Sequence, residues 1–308
     1  MKVIIGVDGS AGSFTAVRFV GRVLSPARDT IVFYYAPPPI DIRSEGELEP
    51  QLADRARHAV SQVVFEEAKQ RLPEGLRSCV EMVVGDEDPR TGLPAIAKSR
   101  GADLVAVGAT GLGFIEGLLL GSVGRTVTYA SSTPVLIVRP APEDRSTGPH
   151  LNVLFAHDGS PECERAGTLL SKFSWPANSS GKLIRVIESM SAGGKVPDWL
   201  MKKARSADTE AMARAWANEH AQERQEVQSK LVAAAQQLPA IFQHEPIVAE
   251  GPPTQRIMET IAKEKTDLVV MGSRGLGVVQ RLLMGSTTEH LFTYAPCSVL
   301  VVRHDENA

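Results

Sequence analysis

The chain contains two copies of one pattern. VIIGVDGS at residues 3–10 recurs as VLFAHDGS at 153–160, an offset of 150. GADLVAVGATGLG (101–113) recurs as KTDLVVMGSRGLG (265–277), now 164 apart, and PVLIVRP and SVLVVRH close the two copies at that same offset. A repeat this long has the size of a domain, not of a solenoid unit. The growth in offset places 14 extra residues in the middle of the second copy. That middle, residues 207–238, is rich in Ala, Glu, Gln and Arg and reads as a long helix. Its counterpart at 51–72 is shorter. Between the copies lies PAPEDRSTGPH, with the Pro, Gly and charge of a linker. The expected domains are 1–140 and 151–304.

Within each copy, apolar runs rich in β-branched residues alternate with helical patterns. Strands are expected at 2–7, 30–36, 79–84, 103–107 and 135–139, then at 151–156, 182–187, 244–249, 267–271 and 298–302. The runs are continuous more than alternating, as in parallel sheets covered on both faces. Strand–helix alternation implies right-handed crossovers and a doubly wound α/β sheet. Such sheets bind ligands beyond the carboxyl ends of the strands, where strand order reverses. Attention therefore falls on the residues after the first and fourth strands.

After strand four the first copy reads Gly108-Ala109-Thr110-Gly111, nine residues, then Gly121-Ser122. The second reads Gly272-Ser273-Arg274-Gly275, nine residues, then Gly285-Ser286. Glycines let backbone approach a ligand closely, and a helix N-terminus presents free N–H groups and a positive dipole end that suit a phosphate. The same residues also serve as turn glycines and helix caps. Ser122 and Ser286 stand where an N-cap is expected, and Glu289 would complete a capping box with Ser286. Asp8 and Asp158 close strand one, where a carboxylate accepts from an exocyclic amine or caps the next helix. Ser10 and Ser160 fit capping better than phosphate contact.

The G-x-x-G, nine residues, G-S pattern with an aspartate ending strand one resembles the universal stress protein family, here as a tandem pair across nearly the whole chain. The resemblance implies two Rossmann-like domains, each a five-stranded parallel sheet of order 3-2-1-4-5 with helices on both faces, and pairing of domains through their last strands. For the family's ATP-binding branch it implies a nucleotide held by Asp8, Ala36, Gly108, Gly111, Gly121 and Ser122. In the second copy the matching positions are Asp158, Val186, Gly272, Gly275, Gly285 and Ser286. Their neighbours Gly9, Ser10, Val123, Gly159, Ser160, Arg274 and Thr287 complete the candidate sets. Mg2+ would be held mainly by phosphates and water, with no protein ligand.

The copies differ beside the loop. Arg274 replaces Thr110, and Thr288 replaces Gly124, which costs its helix about 1 kcal/mol against Ala. Arg274 either contacts a phosphate or is solvated. Both changes suggest tighter binding in the second copy. His157 beside Asp158 reads as structural, and Trp199 and Trp216 as packing for the inserted segment.

Other chemistry is disfavoured. Lys+Arg 33 against Asp+Glu 36, divided almost evenly between the copies, leaves no basic field for nucleic acid. Three scattered cysteines fit a reducing cytoplasm and neither a disulfide framework nor a zinc site. No run approaches the ~20 apolar residues of a membrane span, and the short apolar run at 3–5 reads as a strand, not as a signal peptide. Walker A, H-E-x-x-H and G-x-S-x-G patterns are all missing. The expectation is an adenine-nucleotide-binding regulatory protein without a catalytic residue, working in stress survival. Its alternatives are a nucleotide-free dimerisation or partner scaffold and a slow ATPase. Homodimer formation is left open.

Overall fold

A computed structural model describes residues 1–39, 43–44, 47–48, 50–111, 120–140, 150–188, 207–274 and 284–303. The first copy runs β1 (Lys2–Gly6), α1 (Ala11–Gly21), β2 (Thr30–Tyr35), a small hairpin of β3 (Arg43–Ser44) and β4 (Glu47–Leu48), and α2 (Pro50–Gln70). It continues with β5 (Val80–Val84), α3 (Pro89–Ser99), β6 (Leu104–Gly108), α4 (Ser122–Ala130) and β7 (Val135–Val138). The second copy runs β8 (Asn152–Ala156), α5 (Pro161–Lys172), β9 (Ser180–Ile187), α6 (Ala207–Gln236) and β10 (Ile247–Glu250). It ends with α7 (Pro253–Lys263), β11 (Leu268–Gly272), α8 (Ser286–Tyr294) and β12 (Ser298–Val302). The fold is α/β, with the expected strands displaced by at most three residues at their ends. The largest displacement is at β10, which starts at Ile247 because Pro246 cannot donate to a ladder.

The ten long strands form one sheet in the order β10-β9-β8-β11-β12-β7-β6-β1-β2-β5. Each half keeps the order 3-2-1-4-5 and is parallel throughout. In place of two separate sheets, the halves join through their last strands, with β12 antiparallel to β7 and Val299, Leu300 and Val301 opposite Ile137, Leu136 and Val135. Alternate strand residues supply the two cores. Val3, Ile5, Phe33 and Phe155 face α1, α2, α5 and α6, where Ala16, Val20, Phe65 and Leu231 meet them. Ile4, Val32, Val105 and Val269 face the other layer, where Leu93, Val127, Ile257 and Leu291 lie. Both cores run across the joint, so the halves share their hydrophobic interior.

Local choices at the helix starts agree with expectation at α1 and differ at α4, α5 and α8. Ser10 caps α1, its hydroxyl accepting from Ser13 N at 3.1 Å. Ser160 stands at the N-cap of α5 but makes no side-chain cap bond; its hydroxyl lies 3.5 Å from Cys163 Sγ instead. Helices α4 and α8 open one residue earlier than expected. Gly121 and Gly285 are their N-caps, neither with a side-chain cap bond, so Ser122 and Ser286 are first helical residues and no Ser286–Glu289 capping box forms. The physical reason is the backbone bonds from Gly121 N to Ala109 O (2.6 Å) and Gly285 N to Ser273 O (2.9 Å), which tie the glycines to the strand-four turn. Trp199 lies outside the described residues, as does the side chain of Trp216. Trp175 packs edge-on to Phe242.

Candidate functional site

Each half has a cavity at the carboxyl ends of its strands. The first, about 340 Å³, is lined by Asp8, Ala36, Gly108, Gly111, Gly121, Ser122 and Val123 among other residues. The second, about 530 Å³, is lined by Asp158, Val186, Gly272, Arg274, Gly285, Ser286 and Thr287 among others. Tertiary structure thus brings together residues more than 100 positions apart in each copy. Four candidates stand behind these walls. Gly9 and Ser10 shape the turn under Asp8, and Gly159 and Ser160 do the same under Asp158. Gly275 lies outside the described residues.

The turns explain how the aspartates are held. Gly9 and Gly159 have φ of 82° and 84°, a left-handed conformation that costs glycine little. The turn lets Asp8 Oδ1 accept from Ser10 N at 2.9 Å and from the Ser10 hydroxyl at 2.5 Å. Asp158 Oδ1 accepts from Ser160 N at 3.0 Å and from the Cys163 thiol at 3.1 Å. Burial works to raise the Asp158 pKa, but hydrogen bonds from Ser160 and Cys163, with the Arg185 charge, hold it below the ordinary carboxylate value. The Cys163 thiol is pushed up to about 12 by burial and by Asp158, so it is neutral and acts as a donor.

The glycines allow close approach. A Cβ on Gly111 would lie 2.7 Å from Asp8 Oδ2, and one on Gly108 would lie 2.5 Å from the Gly12 carbonyl carbon. The strand-four turn therefore packs directly on the start of α1 and on the strand-one carboxylate. Opposite, α4 and α8 open on N-cap glycines, which have no side chain to cap the first turn. Their first-turn N–H groups and dipole ends make each cavity polar and positive on that side, and acidic on the aspartate side.

The second copy differs further. Thr288, at the position of Gly124, donates to Gly272 O at 2.8 Å, so its hydroxyl braces the strand end. Arg274 lines the cavity. Sequence reading missed Tyr34 in the first cavity and Arg185, Glu188, Glu223 and Val227 in the second. Glu223 and Val227 ride on α6, the long helix expected from the sequence, at positions that correspond to Arg57 and Ser61 of α2. His157 also lines the second cavity, its ring edge-on to Phe155 at 5.2 Å, and burial lowers its pKa. Among the described residues no cluster of His, Cys, Asp or Glu could hold a metal ion, and no helix is long and apolar enough to cross a membrane.

The model of the universal stress protein family matches residues 1–139 and again residues 150–303. The chain belongs to the universal stress protein family. A Thermus aquaticus universal stress protein is 32% identical over 151 residues, covering 49% of this chain and 97% of its own length. One from Mycolicibacterium smegmatis is 25% identical over 308 residues, covering 98% of this chain and 96% of its own. The first thus corresponds to a single copy and the second to the tandem. The solved universal stress protein of Archaeoglobus fulgidus aligns with a TM-score of 0.62 at 18% identity, covering 99% of this chain and 98% of that one. That likeness speaks to fold. In universal stress protein form, the present chain carries two candidate sites in one sheet, one on each side of the β7–β12 joint.

Proposed function

We propose that this universal stress protein binds two adenine nucleotides, ATP with Mg2+, one in each cavity, and acts as a nucleotide-responsive regulatory protein of the cytoplasm. The observation that carries the reading is the same polarity in both copies. A fixed carboxylate and a residue at the carboxyl end of strand two (Ala36 just past β2, Val186 next to last in β9) stand at one end of each cavity, and the glycine-started N-terminus of α4 or α8 stands at the other. A carboxylate repels phosphate but accepts from an exocyclic amine, so the base belongs at Asp8 and Asp158. Phosphates belong at Ser122 and Ser286, where N–H groups and dipole converge. In the first cavity Asp8 is the one carboxylate among the described lining residues, and it is already engaged by Ser10. This supports binding over turnover.

Calorimetric titration of the full chain with ATP and Mg2+ tests the reading, with two nucleotides per chain expected. Ser122→Asp and Ser286→Asp should each remove one. A carboxylate in the first helical turn repels phosphate but favours the helix by about 0.3–1 kcal/mol, so thermal unfolding should not fall. Absence of ATP binding, together with no adenine nucleotide released by acid from the purified protein, would refute the proposal.

A further inference from the structure

The two copies place different side chains on the floor of the cavity. In the first, Tyr34 lines the cavity and is 5% exposed. It lies opposite Gly6 in the β1–β2 ladder, two residues before Ala36, and so belongs to the base end. Its hydroxyl occupies the space that a Cβ would take at both Gly85 and Gly92. The phenol is therefore wedged against glycine backbone and cannot withdraw from the cavity unless backbone moves.

In the second copy the same ladder position, opposite Ala156, is Ile184, which also lines its cavity. Counting from Pro89 and Pro253, the opening residues of α3 and α7, the counterpart of Gly92 is Arg256. Its guanidinium turns away, donating to Glu250 O at 2.8 Å and to Glu259 Oε2 at 2.8 Å. The neighbouring strand shifts as well. β5 pairs with Ile31–Tyr35, whereas β10 pairs with Ile184–Ile187, so the second wall extends farther past the site. The cavities measure about 340 and 530 Å³. Their difference exceeds the roughly 150 Å³ that suffices to take up a benzene ring inside a protein.

We propose that Tyr34 is a specificity-determining residue: it confines the first site to nucleotides with an unenlarged base, while the second site, floored by Ile184, admits purine nucleotides carrying a bulky group on the base. This rests on the reading that both cavities hold a purine nucleotide with its base at the aspartate end. One chain then samples two classes of purine nucleotide, discriminated by size at the base.

The probe is N6-benzyl-ATP with Mg2+, which keeps one amine hydrogen for the aspartate, titrated beside ATP into the full chain. ATP should fill two sites and N6-benzyl-ATP one, with the other at least tenfold weaker. In Ser286→Asp, ATP should fill one site and N6-benzyl-ATP none. In Tyr34→Ile, N6-benzyl-ATP should fill two. The proposal is overturned if the native chain takes N6-benzyl-ATP at both sites or at neither, or if Ser286→Asp still binds it. The Ser286→Asp arm leaves Tyr34 in place, so it decides the matter even where Tyr34→Ile does not fold. Failure of ATP itself at both sites would overturn the nucleotide reading, a result distinct from failure of the benzyl analogue alone.

Discussion

At the scale of single residues, Tyr34 and Gly92 form a matched pair. Glycine inside α3 costs about 1 kcal/mol of helix propensity against alanine, and the Tyr34 hydroxyl supplies the reason for it. Gly92→Ala alone should destabilise by about 1–3 kcal/mol through overpacking. In a Tyr34→Ile background the same change should stabilise by about 1 kcal/mol. Urea denaturation of the four proteins reads that reversal of sign, and two changes of the same sign would contradict the wedge. His157 is a second residue with a signed expectation. Burial lowers its pKa from the ordinary 6.5, outweighing Asp158, which raises it; Arg185 adds to the lowering. The folded state thus resists a proton that the unfolded chain accepts. Stability is full above pH 6.5 and declines as the pH falls from there toward the lower folded value. His157→Val, which copies Val7 of the first half, should flatten the dependence of Tm on pH between 7.5 and 5.5. An unchanged slope would show that His157 does not carry it.

At the scale of elements, the strands were legible because parallel strands covered on both faces must be apolar nearly throughout. VIIG, TIVFYY and LVVMG could hardly be anything else. Helix starts were harder to read, since a serine after a glycine looks like a cap. Here the glycines are tied back to the strand-four turn, so that each helix starts one residue earlier, with the glycine as its N-cap. Ser122 and Ser286 are thereby released from capping and join the cavity walls. The contrast between α1 and α5 can be measured. Ser10→Ala should cost about 1 kcal/mol through the lost cap, and Ser160→Ala clearly less, because its hydroxyl caps nothing. Equal losses in chemical denaturation would contradict that distinction.

At the scale of the molecule, the halves are fastened by equivalent arginines that cross in opposite directions. Arg139, after β7, donates to Phe292 O at 2.5 Å and Thr293 O at 3.0 Å, at the carboxyl end of α8. Arg303, after β12, donates to Tyr129 O and, at 3.5 Å, to Ser131 O, at the carboxyl end of α4. Each half thus supplies a cation to the C-terminus of the other half's last helix, where dipole and free carbonyls favour it. Both helices begin at the candidate sites, so each site has a rigid connection to the joint. Arg139 is buried and Arg303 is not. Arg139→Met should therefore cost about 2–3 kcal/mol of stability, and Arg303→Met about 1 kcal/mol. Equal costs in urea denaturation would sink this account of the joint. The sequence showed both arginines at matched positions, but a repeat has no means of showing that each reaches into the other copy.

The repeat, the alternation of elements and the duplicated glycine loop all follow from local pattern, because hydrophobic period and turn chemistry act over a few residues; the order of strands came from the family resemblance. The shapes of the cavities do not. Tyr34 constrains the first site only through Gly85 and Gly92, more than 50 positions away, and α6 brings Glu223 and Val227 to the wall of the second from about 60 positions before Ser286. Packing at van der Waals distance sets a cavity's volume and polarity, and it depends on which distant side chains meet there. Two nearly identical motifs therefore line two unequal sites.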